Sequence, residues 1–264
     1  MQIALRGIHK EFPRQNGGSL PVLRDVTLTV ETGEFCCVVG SSGCGKSTIL
    51  NIVAGLTLPD AGQVLVDDAL VDSSRMRIGY VFQKPRLLNW KSVRENVAFA
   101  LKASGVPAAE ARARALHYLD LVGLAQFEDE FPLALSGGMQ QRVAIARALA
   151  IEPDLLLMDE PFSHLDELTA RVLRAELLRI WQQARKPVMF VTHNALEAVY
   201  LADQVLILSG RPATIIKSLR VGLPRDREME DPRLVALQRE ILDALGITGA
   251  NGSSLSKRVP ASRL

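Results

Sequence analysis

The chain has 264 residues, at the upper end for one domain and long enough for a substantial core. Its 48% hydrophobic content fits buried parallel strands, yet no stretch reaches the roughly eighteen consecutive apolar residues that cross a bilayer. A formal net charge of +2 gives no electrostatic case for nucleic acid, and no charged-then-apolar secretion signal opens the chain, so a soluble, cytoplasmic protein is expected.

Strands are expected at 3–9, 23–30 and 34–39, with a surface loop from Arg14 to Leu20. The apolar run Phe35 to Val39 leads into Gly40-Ser41-Ser42-Gly43-Cys44-Gly45-Lys46-Ser47 and then a helical run to Ala54. This is G-x-x-x-x-G-K-[ST] in the strand–loop–helix setting that a phosphate loop requires. Its glycines let backbone N–H groups crowd around phosphate oxygens, and the new helix aims its positive end at the same charge. Lys46 is placed to reach the outer phosphates and Ser47 to put its hydroxyl on Mg²⁺, with Thr48 counted among the nucleotide-binding residues. Cys36 and Cys37, adjacent in a strand, face opposite ways, and no disulfide framework exists. Cys44 reads either as a passive small residue or as a thiol whose alkylation would block nucleotide binding.

Further strands are expected at 63–67 and 77–82, and the pattern turns helical between Ser92 and Ala150, with Pro107 in the first turn of one helix. Leu155 to Met158 reads as a buried strand delivering Asp159 to its end, with Glu160 next. A helix at 166–184 carries Leu173, Leu177, Ile180 and Ala184 on one face. Strand 188–192 ends at His193, and Asn194 with Glu197 resembles a capping box for a helix at 194–202. A strand at 204–208, a strand-like run and a helix near 231–245 complete the ordered part; a disordered tail is expected from Gly249. The carboxyl ends of such strands are where open α/β sheets bind ligands, so Asp159, Glu160 and His193 converge there. ATP hydrolysis needs phosphate neutralisation, Mg²⁺, an oriented water and a proton acceptor, and Asp159 suits the Mg²⁺ hydration shell.

Leu135-Ser136-Gly137-Gly138-Met139-Gln140-Gln141-Arg142 resembles the signature motif of ATP-binding-cassette (ABC) ATPases, with Met at the fifth position. Gln83, the segment Leu155 to Glu160, Ser163 to Asp166, and His193 stand in that family's order, and the resemblance spans roughly residues 3 to 245. It implies an α/β phosphate-loop NTPase cassette: a RecA-like core, an antiparallel β-subdomain and an α-helical subdomain at about 88–150, in a domain of residues 1–245 with a tail at 246–264. It also implies that Glu160 is the general base, that Gln83 touches Mg²⁺ and the attacking water, and that His193 contacts the γ-phosphate. Phe12 resembles the adenine-stacking aromatic, although a core role suits it too. Ser136, Gly137, Gly138 and Asp166 would serve ATP held by a second copy of the chain, in a head-to-tail sandwich.

The same resemblance implies integral membrane permease subunits as partners, a solute-binding protein beyond them, and a peripheral place on the cytoplasmic face of the inner membrane. Lys84 to Trp90 and Ser92 to Val97 form either the groove for a permease coupling helix or filling for the helical subdomain. Asp159-Glu160-Pro161-Phe162-Ser163, Leu177 to Trp181, Glu197 to Asp203 and Leu223-Pro224-Arg225 look most like importers of nitrate, sulfonate, taurine or pyrimidine-type precursors. The alternative is a soluble ABC-type ATPase with a non-transport partner. A DNA-maintenance ATPase would insert a long coiled coil, and a translation factor would carry two cassettes; neither pattern is present. His164 and Asn194 depart from the family pattern, the first replacing a small residue and the second an Asp.

Overall fold

β1 (Ile3–Pro13) and β2 (Ser19–Val30) pair antiparallel, joined by a tight turn in which Gly17 N donates to Arg14 O at 3.1 Å. β3 (Phe35–Val39) runs into the phosphate loop and α1 (Lys46–Val53). β4 (Ala61–Val66) returns to the other edge of β1 and pairs with the short β5 (Ala69–Leu70), giving the order β2-β1-β4-β5. β6 (Ile78–Val81) opens the second sheet, and three helices follow: α2 (Val93–Ala103), α3 (Ala108–Leu121) and α4 (Gly137–Ala150). The chain then alternates β7 (Leu155–Asp159), α5 (Glu167–Ala184), β8 (Val188–Thr192), α6 (Ala195–Leu201) and β9 (Gln204–Leu208), and ends with β10 (Ile215–Arg220) and α7 (Pro232–Ala244). The structure, a computed structural model, describes residues 1–14, 16–70, 76–163 and 165–247. The expected tail from Gly249 and the departure at His164 lie outside the described residues.

The second sheet has the order β10-β9-β3-β8-β7-β6, parallel throughout except for β10 on the edge. β3, β7, β8 and β9 are buried at every position, as strands covered on both faces must be. Alternation sends neighbours to opposite cores. Cys37, Phe35 and Phe190 pack with the helices α2–α6, whereas Cys36, Val38 and Met189 pack with α1 and the antiparallel sheet. All three cysteines are free and buried.

Local chemistry sets the helix starts. Ser92 and Glu95 form a reciprocal capping box at α2, with Ser92 N donating to Glu95 Oε2 at 3.0 Å and Glu95 N to Ser92 Oγ at 3.3 Å. Gly45 precedes α1 with φ 128, and a Cβ there would lie 2.8 Å from Leu23 Cδ2, so only glycine fits.

Several boundaries differ from expectation. Strand pairing carries β1 to Pro13 and starts β2 at Ser19, shrinking the expected loop to a turn, because the Phe12–Leu20 and Pro13–Ser19 pairs continue the ladder. Pro107 caps α3 from outside rather than sitting in its first turn. The buried face of α5 runs through Leu173, Leu177, Leu178 and Trp181, while Ala184 is exposed. Arg185 takes a left-handed conformation (φ 46) and turns the chain away, and Trp181 fills the core against Phe35 with ring centroids 5.6 Å apart. The capping box expected at α6 is only half formed. Asn194 Oδ1 accepts from Leu196 N and Glu197 N, but Glu197 turns inward to Arg174 at 3.2 Å.

Candidate functional site

The phosphate loop lies at the carboxyl end of β3, and β7 and β8 bring Asp159, Glu160 and His193 beside it. Lys46, 4% exposed, donates to the carbonyls of Gly40 (2.9 Å) and Ser41 (3.1 Å) and lies 3.4 Å from Glu160 Oε1. The other Glu160 oxygen is 2.8 Å from His193 Nδ1. One carboxylate therefore joins a buried cation to an exposed imidazole beside the phosphate loop. Glu160 adopts φ 44, uncommon for a residue with a Cβ and a form of strain that gathers at functional sites. Pro161 disfavours a right-handed helical turn at Glu160, Glu160 N donates to Val191 O at 2.9 Å, and Ser163 Oγ donates to Glu160 O at 2.9 Å.

Asp159 is nearly buried. Burial pushes its carboxyl above the ordinary range and the neighbouring Glu160 charge adds to this, while the Ser47 hydroxyl and Lys46 pull it back. Its Oδ1 is buried with no hydrogen-bond partner among the described residues. A hard cation held by Ser47, Asp159 and Gln83 would satisfy that oxygen, so the residues present fit Mg²⁺.

A cleft of about 440 Å³ is lined by Phe12, Leu20, Gln83 and Glu160, with Ser42, Gly43, Gly45, Lys46, Ser47 and Thr48 from the loop. Phe12 is 37% exposed, more than a core residue would be. Gly40, Ser41 and His193 line an adjoining groove, and Cys44 is buried, its sulfur 2.8 Å from where a Cβ on Gly40 would lie.

Ser136, Gly137, Gly138 and Asp166 do not line this cleft. Ser136 Oγ caps α4 by accepting from Met139 N at 3.2 Å, so the helix begins at Gly137. Gly138 packs so close to Leu165 that a Cβ would come within 2.9 Å of its side chain, which ties the signature to the segment before α5. Asp166 caps α5, accepting from Thr169 N at 2.9 Å.

Four contributors escape sequence reasoning. Gln141, buried in α4, donates to Phe82 O at 3.2 Å, and Arg147 grips the carbonyls of Pro85 (2.8 Å) and Arg86 (3.0 Å), so α4 holds the segment carrying Gln83. Asn96, fully buried, bonds Leu88, Lys91 and Ser92 and shapes the loop that exposes Trp90. Arg211 enters the cleft from the β9–β10 turn. Only spatial pairing reveals these roles; nothing in the local sequence marks them.

Together, a phosphate loop, a buried lysine and a carboxylate–histidine pair define a nucleotide-hydrolysing site on an α/β sheet. Residues 23–163 match the family model described as ABC transporter. A nitrate import ATP-binding protein from Synechococcus elongatus is 45% identical over 245 residues, covering 90% of this chain and 89% of its own. A taurine import ATP-binding protein from Jannaschia sp. is 41% identical over 247 residues, covering 91% and 92%. Among solved structures, a dimeric ATP-binding cassette in a post-hydrolysis state with ADP and phosphate superposes with a TM-score of 0.76. It is 31% identical and covers 84% of this chain and 100% of its own. The chain belongs to the ABC transporter family, and its fold is that of the family's ATPase cassette.

Proposed function

We propose that this chain is the ATP-hydrolysing subunit of an ABC importer for a small solute such as nitrate, sulfonate, taurine or a pyrimidine-type precursor. The observation that carries the chemistry is Glu160, held 3.4 Å from Lys46 and 2.8 Å from His193 beside the phosphate loop. ATP lies with its base on Phe12 and its phosphates along Gly40 to Thr48. Glu160 takes a proton from water as the water oxygen bonds the γ-phosphorus. The bond from that phosphorus to the β–γ bridging oxygen breaks, releasing ADP and phosphate. Lys46 and the loop N–H groups hold the charge that accumulates on the leaving oxygens. With Nδ1 turned to Glu160, His193 keeps Nε2 for the γ-phosphate. Ser47, Asp159 and Gln83 would hold Mg²⁺, which would supply neutralisation of the phosphate charge.

Ser136, Gly137, Gly138 and Asp166 stand away from their own cleft, which supports a head-to-tail pair in which each copy closes over its partner's ATP. The dimeric solved relative and the import proteins at 45% and 41% identity support the assembly and the transport role. No helix among the described residues is long and apolar enough to cross a membrane. The likeness to import ATP-binding proteins supports a cassette that works from the cytoplasmic face, peripherally, through permease subunits that a solute-binding protein supplies. Trp90, 74% exposed on the loop that Asn96 braces, with Phe131 half exposed close by, suits a permease helix. Purified protein should hydrolyse ATP, and K46A should lose ATP binding; unchanged ATP titration of K46A rejects the reading of the loop.

A further inference from the structure

Arg211 lines the same cleft as Phe12 and Lys46, and no motif accounts for it. It sits on the turn between β9 and β10, which is fixed at several points. Ser209 N donates to Thr214 O and Thr214 N to Ser209 Oγ, both at 2.9 Å. Ala213 N donates to Val22 O at 2.8 Å, and Arg24 N donates to Ala213 O at 2.9 Å. Val22 and Leu23 in turn press against Gly45 of the phosphate loop. The turn, β2 and the loop are one bonded unit, closed by Arg211 Nη2 donating to the Gly43 carbonyl.

That tether is neutral, and among the described residues no carboxylate pairs with Arg211, whose side chain is exposed in the cleft. A guanidinium has five N–H donors in a planar fork, and a single carbonyl uses little of that capacity. The full positive charge and the remaining donors stand beside a loop built to hold phosphates.

We propose that Arg211 is a nucleotide-binding residue of this chain: anchored on the Gly43 carbonyl, it donates to a phosphate oxygen of the bound nucleoside di- or triphosphate. This rests on the ATP-binding reading of the cleft. Because the turn is braced before the ligand arrives, little side-chain freedom is lost on binding. Charge-assisted hydrogen bonds of this type contribute enough to change affinity about ten- to hundredfold.

The test compares wild type with R211A, R211Q and R211K, each checked for an unchanged thermal transition, by competition of ADP, ATP and adenosine against a fluorescent ADP analogue. R211Q keeps a donor for the Gly43 carbonyl without the charge, and R211K keeps the charge without the fork. ADP and ATP should bind R211A and R211Q at least tenfold more weakly, adenosine should be unaffected, and R211K should lie closer to wild type. Added salt should weaken ADP binding less in R211Q than in wild type, because one ionic contact is gone. Wild-type affinity in R211Q, or R211K no better than R211Q, would overturn the proposal by reducing Arg211 to a prop for the loop. If wild-type protein itself bound neither ATP nor ADP, the nucleotide reading of the cleft would fail instead, a separate result.

Discussion

Arg174 and Glu197 offer a sharp test of how the helices behind the site are held. Arg174, on α5, is 2% exposed and lies 3.2 Å from Glu197 on α6, itself 5% exposed; a second bond reaches the exposed Glu167. Replacing Arg174 by Met keeps most of the packed stem and removes only the charge. Glu167 then rehydrates at little cost, but Glu197 keeps a buried carboxylate with only the Thr192 hydroxyl and a more distant His193 to favour its charge. Breaking a buried pair from one side costs about 3 kcal/mol, whereas making both partners neutral, as in R174M/E197Q, should cost about 1 kcal/mol. The pH dependence has a definite sign. Burial raises the Glu197 carboxyl above the ordinary range and Arg174 lowers it, so deleting Arg174 raises it further. The folded state then favours protonated Glu197, and the penalty of R174M should be small in acid and grow as pH rises through the raised value. Urea unfolding of wild type, R174M, E197Q and R174M/E197Q at several pH values measures this directly. A pH-independent loss, or a double variant as unstable as R174M, would refute the uncompensated-charge argument.

Asp159→Asn should raise the melting temperature of nucleotide-free protein, because burial already disfavours the charge. Stability from such a raised carboxyl is present in acid and lost as pH rises, so the gain should vanish in acid; Mg²⁺-dependent hydrolysis should fall at least tenfold, and calorimetry with ATPase assays reads both. Trp90→Ser should leave the ATPase activity of the isolated chain intact while reducing co-purification with the proposed permease subunits; unaltered yield would remove Trp90 from that proposed interface. Lys46→Ala serves as the binding-dead control throughout.

The phosphate loop was legible because its pattern is contiguous and its chemistry permits few substitutes. The buried strands were equally plain, since strands covered on both faces must be apolar at every position, as Leu155 to Met158 are. What the linear order concealed was decided by tertiary partners. Glu197 has the right spacing for a capping box, yet a buried arginine from another helix takes its carboxylate. The left-handed backbone at Glu160 has only Pro161 as a local hint, because Val191 and Ser163 hold it in place. Arg211 stands far from the loop in sequence and reaches it only because β9 lies beside β3. Strand ends moved for a similar reason: the Phe12–Leu20 ladder pair draws Gly17 and Gly18 into a turn.

Glu160→Gln most directly tests the claim that one carboxylate, fixed between Lys46 and His193, activates the water. The amide keeps the size of the side chain and removes its capacity to take a proton. Single-turnover hydrolysis of radiolabelled ATP, read alongside particle mass, should show wild-type ATP affinity, a hydrolysis rate reduced at least a hundredfold, and an ATP-stabilised dimer. Phosphate release at near wild-type rate from that variant would contradict the account.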